Sequence, residues 1–185
     1  MTDVNLKRRM RKYSCGEQFG RVLWAIFRIL FTITPRQLWS LRNSLLRLFG
    51  AKIGKSVRIY PSVRVQMPWN LDIDDGVTVG DGVILYALGA IHIGERSTVS
   101  QGVHLCAGTH DFEDHAFTLL RLPISIEEDV WICADAFVGP NITVSYGAVI
   151  GARAVVMKDV AAMSIVAGNP ARFIRTRKQL NDNNE

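Results

Sequence analysis

"IEEDVWICADAFVGPNITVSYGAVIGARAVV", residues 126–156, sets an aliphatic side chain at every sixth position: Ile126, Ile132, Val138, Val144, Ile150 and Val156. Four residues after each stands a small or β-branched one, namely Val130, Ala136, Ile142, Ala148, Ala154 and Val160. Six is a multiple of two, so each unit can be a short strand that alternates inward and outward and ends in a turn favoured by Gly, Asp or Asn. The same beat runs upstream through Ile53, Ile59, Val65 and Leu71, then Ile73, Val79, Leu85 and Ile91, then Ile93, Val99 and Leu105. Val57, Val63, Val77, Val83 and Val103 hold the second position there. The blocks are offset by two residues, which keeps the aliphatics inward and predicts small corner bulges at "LDIDD" (71–75) and "IHIGE" (91–95). One unit cannot bury its apolar side alone and must stack on the units above and below, the signature of a hexapeptide β-helix. Three units make a triangular coil that adds one strand spacing, about 4.8 Å, and about five coils are expected.

With 185 residues, 48% of them hydrophobic, the chain supports one well-cored domain and an appendage, and is too short for two full domains. Its three cysteines, Cys15, Cys106 and Cys133, lack the paired spacing of a metal knuckle, and no cleavable signal precedes them. A reducing cytoplasm is therefore expected, with Cys106 and Cys133 as small buried side chains. The net charge of +5 is uneven. Residues 1–64 hold 14 Lys/Arg against Asp3 and Glu17, a balance of +12, whereas the remainder holds 8 against 15, a balance of −7.

The basic arm contains "FGRVLWAIFRILFTI" (19–33), broken by Arg21 and Arg28 and bounded by Pro35. It is too short and too charged to span a bilayer. A second helical pattern, "QLWSLRNSLLRLFG" (37–50), ends in Gly50 as a C-cap. Two readings stay open: the arm makes peripheral contact with an anionic membrane face, or it packs on its own domain or a neighbour's. Nucleic acid is not an expected partner, because the charge is confined to one arm and no reader motif accompanies it. The layout is a helical arm at 1–50, an all-β core at 51–160 with a loop at 111–123, and a C-terminal extension at 161–185.

The beat stops at "LCAGTHDF" (105–112) and returns only at Ile126. Taken with "GTHD", "VWI" and "VAGNPARFIR", the repeat resembles the left-handed β-helix acyltransferases, the hexapeptide-repeat family. It looks most like the branch acting in colanic acid and other exopolysaccharide biosynthesis, through "FGAKIGKSVRIYPSVRVQMPWNL" (49–71) and "GTHDFEDHAF" (108–117). The resemblance covers residue 51 to about residue 178 and the arm. It implies a left-handed coil, a homotrimer with an active site in each cleft between subunits, acetyl-CoA as acyl donor, and no permanently bound cofactor or metal. "IGERSTVSQGVHLCAGTH" (93–110) matches the sugar acetyltransferase pattern without a gap, which makes His110 the implied general base. The chemistry agrees, since acyl transfer from a thioester to a hydroxyl needs a group that takes the hydroxyl proton, and imidazole titrates near working pH.

The resemblance carries the pantetheine arm over small outward residues that match Ala134 and Ala152, beside Trp131, with Lys158, Arg172 and Arg175 near the nucleotide phosphates. Each cation also reads as a solvated surface charge, and Trp131 as a trimer-interface anchor. Tyr86 and Asp111 are acceptor-binding candidates; the alternatives are a coil-packing tyrosine and a turn-capping carboxylate. "LYALGA" (85–90) departs from the relatives that place an asparagine there, so it does not name the acceptor. His104 is expected to point outward in a structural role, and His92 and His115 to lie at the surface. A zinc site of three histidines, held by another enzyme class on this coil, lacks its spacing here. The expected function is O-acetyl transfer from acetyl-CoA to a saccharide hydroxyl in exopolysaccharide or other surface-glycan assembly, in the cytoplasm or at the inner face of its membrane. The alternatives are N-acylation of a nucleotide-linked amino sugar and a non-catalytic trimeric glycan-binding scaffold.

Overall fold

In the computed structural model, which describes Val4 and residues 12–178, the hexapeptides wind into a left-handed parallel β-helix of three faces. The rest of the expected arm, residues 1–3 and 5–11, and positions 179–185 of the expected extension lie outside the described residues. Face 1 stacks Lys52–Ile53, Leu71–Ile73, Ile91–Ile93, Ile124–Ile126 and Ile142–Val144. Face 2 stacks Arg58–Ile59, Thr78–Val79, Thr98–Val99, Trp131–Ile132, Val149–Ile150 and Ser164–Ala167, and face 3 Arg64–Val65, Ile84–Tyr86, His104–Cys106, Phe137–Val138 and Val155–Val156.

The register puts each sixth-position aliphatic on its counterpart one turn away: Ile53, Ile73, Ile93, Ile126 and Val144 on face 1, and Val65, Leu85, Leu105, Val138 and Val156 on face 3. These ladders and the second-position residues fill the bore and are buried throughout. Strands this short have no stability apart, so the fold rests on rung-to-rung stacking, with each buried Val, Ile or Leu contributing about 1.5–3 kcal/mol. Where Ser97 interrupts the second position, its hydroxyl donates to Glu127 O (2.8 Å) and accepts from Val130 N (3.0 Å), so the buried polar group is satisfied. The corners turn through left-handed backbone at residues such as Gly102 (φ 70°), Asp135 (φ 59°) and Asn141 (φ 60°), the side chains that tolerate it. At Gly102 a Cβ would also fall 2.2 Å from Asp135 Oδ1.

The extra residues are not where the sequence put them. "LDIDD" and "IHIGE" contain regular three-residue strands with Leu71 and Ile73, and Ile91 and Ile93, all inward. The added length sits in the corner before them, between faces 3 and 1. Residues 139–141 suffice there in the fourth turn, whereas 66–70, 86–90 and 106–123 fill it in the first three. An aliphatic at both phases of one strand made the slip look like a bulge in that strand. The coil also continues beyond residue 160, because Ser164–Ala167 adds a further parallel rung to face 2 before Arg172–Thr176 turns back antiparallel on it.

The arm closes the lower end. Helix α1 (Cys15–Ile33) starts in a capping box in which Ser14 Oγ accepts from Glu17 N and Glu17 Oε2 accepts from Ser14 N. Its Trp24 and Phe31 are buried, and Trp24 Nε1 donates to Val65 O at 2.8 Å. Helix α2 (Trp39–Leu48), with Gly50 at φ 87° beyond its end, lies under the first rung. That rung has no strand beneath it, and α2 supplies the missing donors: Arg42 to Ile59 O, Asn43 to Val57 O, and Arg47 to Ile53 O and Gly54 O, all at 2.8–2.9 Å. Arg42, fully buried, also donates to Pro35 O and Arg36 O, which offsets the cost of burying its charge. The inner side of the arm thus packs on its own coil.

Candidate active site

The long corner at 106–123 is a hairpin in which Thr109–His110 runs antiparallel to Leu119–Leu120. Two elements of the turn below seat it. Gly89 donates to Ala107 O (2.8 Å) where a Cβ would lie 2.5 Å from Leu122 O, and Asn70 Nδ2 donates to Ala87 O and Leu88 O. Asp114 braces the tip, accepting from Ala116 N (3.0 Å) and Thr118 Oγ1 (2.6 Å). Phe117 is held in left-handed backbone, φ 49°, and its carbonyl stands 2.6 Å from His110 Nδ1. A carbonyl can only accept, so the neutral ring carries its proton on Nδ1 and leaves the Nε2 lone pair free. The imidazole is exposed and can receive a proton.

The other expected residues fall into groups. Trp131, half exposed, is outward on face 2, with Nε1 donating to Ser100 Oγ at 3.0 Å. The register continues its row through Val149 and Ile165 to Arg175. Beside that row runs a flat strip, Cys133, Gly151 and Ala167, which ends at Arg172, and the sequence reading missed it. Ala134 and Ala152 stack in successive turns at the next corner, where Arg153 N donates to Ala134 O. Lys158 and Arg172 line one cavity of about 500 Å³ at the upper end of the coil. Within one chain, then, these residues stand on face 2 and at the upper end, whereas His110 projects from the corner between faces 3 and 1. Asp111 spends Oδ1 on Glu113 N (3.0 Å), the turn-capping role.

Tyr86 is half-buried on face 3, and burial pushes its hydroxyl pKa up. It meets the His104 ring edge-on, and His104 meets Phe137 likewise. Burial lowers the His104 pKa, and its Nε2 is enclosed without a partner, so this ring packs the coil. Burial raises the Cys106 thiol pKa, which keeps it a poor nucleophile. Among the described residues, the one group spaced for a metal is Asp72, Asp74 and His92, on the outer side of face 1 and away from His110.

The sequence reading also missed a link between the arm and the hairpin. Arg121, two residues past the partner of His110, donates to Glu17 Oε1 (2.5 Å) and Lys12 O (2.6 Å). Its guanidinium lies over the Tyr13 ring, as does that of Arg21. The Arg121 hydrogen bond holds the Glu17 carboxyl pKa below its ordinary value. "SCGE" (14–17) carries the capping signal that could have placed Glu17 at a helix start; nothing in the sequence pairs it with Arg121.

No family model matches the chain. Individual proteins do. It is 47% identical over 154 residues, 83% of this chain and 85% of the relative, to the Escherichia coli (strain K12) protein that bears the name colanic acid biosynthesis acetyltransferase WcaF. A maltose O-acetyltransferase from Clostridium difficile 630 superposes with a TM-score of 0.80 at 22% identity, covering 97% of this chain and 99% of that one. A hexapeptide-repeat acetyltransferase of Vibrio cholerae O1 biovar eltor, VCA0836, complexed with acetyl-CoA, superposes with a TM-score of 0.83 at 21% identity, covering 92% and 94%. These two show the coil. The extent of the first likeness shows the lineage: the chain belongs to the hexapeptide-repeat acetyltransferases, which are acetyl-CoA-dependent enzymes.

Proposed function

We propose that this chain is a homotrimeric O-acetyltransferase that moves acetyl from acetyl-CoA to a saccharide hydroxyl during exopolysaccharide or related surface-glycan assembly, with His110 as general base. The observation that carries the reading is the Phe117 carbonyl on His110 Nδ1, which aims a free Nε2 outward. Nε2 takes the sugar hydroxyl proton as that oxygen attacks the thioester carbonyl, and a backbone N–H steadies the oxyanion. The tetrahedral centre collapses, the C–S bond breaks, and the imidazolium returns its proton to the departing CoA sulfur. Cys106 takes no part. Trp131, Ala134 and Ala152 carry the pantetheine arm, Arg172, Arg175 and Lys158 the phosphates, and Tyr86 and Asp111 border the acceptor. A trimer supports this arrangement, because base and cofactor row occupy different sides of one prism and a neighbour's face 2 supplies the other half of the cleft.

The test is thiol release from acetyl-CoA with a panel of saccharide acceptors, with products assigned as esters or amides. His110→Ala is expected to lower kcat by about 10²–10⁴-fold, the usual worth of a general base. Unchanged turnover in that variant overturns the base assignment, and an amide product overturns O-transfer.

A further inference from the structure

Helix α1 has two apolar sides. Trp24 and Phe31 face the coil, while Phe19, Val22, Ile26, Ile29, Leu30 and Ile33 are 50–69% exposed on the opposite side. At 3.6 residues per turn these six span an arc of about 100° containing no polar residue. Coil packing does not need them, since the inner side of the arm already closes the lower rung. Beside the arc, an almost wholly apolar groove of about 320 Å³ opens between α1 and α2, lined by Leu30, Phe31, Ile33, Pro35, Leu41 and Leu45.

We propose that this outer face of α1 rests on an anionic lipid surface, with the groove open to acyl chains. The charge of the arm selects that occupant. Between Cys15 and Leu48 there are five arginines and a single acid, Glu17, which Arg121 already engages. Arg21 and Arg28 lie on the adjoining side of α1, with no carboxylate partner among the described residues. A second copy laid on this face would set arginine against arginine, whereas lipid phosphates supply the missing negative charge. No described helix is long and apolar enough to cross a membrane, so α1 lies along the surface, as interfacial helices do. Its arginines reach the headgroups on their aliphatic stems.

Co-sedimentation of the full chain tests the proposal, using vesicles of phosphatidylethanolamine with phosphatidylglycerol and vesicles of phosphatidylcholine alone. Binding is expected on the anionic vesicles, about tenfold or more weaker on the neutral ones, and weakened by salt. Ile26→Glu combined with Ile29→Glu should remove binding without changing the melting temperature, because both side chains are solvent-exposed. Arg21→Gln combined with Arg28→Gln should erase the preference for anionic lipid. The proposal is overturned if the chain stays in the supernatant with every vesicle, or binds both kinds equally. It is also overturned if light scattering shows the double glutamate variant splitting a larger assembly, which would make another copy the occupant.

Discussion

The fourth turn of the coil, Ile126 to Val144, closes in 18 residues, whereas Ile73 to Ile93 takes 20 and Ile93 to Ile126 takes 33. The upper turn contains little beyond core and corners. In the lower ones the surplus collects at one corner, and there the chain builds the hairpin of His110, its seat at Gly89 and Asn70, and its tie to the arm. Even spacing therefore marks what holds the molecule up, and departures from it mark what the molecule does.

That contrast can be broken. Ile150→Ala, in the regular upper turns, should cost about 2–5 kcal/mol in urea unfolding, since its bore position cannot collapse around a cavity. A loss well under 1 kcal/mol would mean that the stacked rungs do not carry the stability. Gly89→Ala, at the lower corner, should cost about 1–3 kcal/mol and depress turnover as well, because the new methyl meets the Leu122 carbonyl and lifts the hairpin. Full activity with unchanged stability would refute the seat. Smallest is Arg121→Gln, a partly exposed pair, expected to cost at most about 1 kcal/mol globally. It should nevertheless raise amide exchange and proteolysis at residues 12–17. Acid should mimic it: the lowered Glu17 pKa contributes stability above the ordinary carboxylate value, and this is lost as pH falls through the lowered one. Exchange at the arm that is insensitive to both changes would remove the tie.

Much of the coil could be read from Ile126 to Val156, because core burial at a fixed period leaves a direct trace in the chain. His110 was legible through the motif around it. The corner location of the added residues was not, since Leu71 and Ile73 fit either phase. Neither was the pairing of Glu17 with Arg121, which joins side chains 104 residues apart. The carbonyl of Phe117 carries no side-chain signature at all, so the group that orients the base appears only once the loop is folded. The flat strip at Cys133, Gly151 and Ala167 stayed hidden because its members share a row only after three turns are stacked.

The helix beneath the first rung has one further effect. A stack of strands with a bare end is a template, and two such ends meeting would add turn upon turn into a filament. Arg42, Asn43 and Arg47 occupy the carbonyls through which that growth would begin, so the arm acts as a stopper that keeps each prism finite.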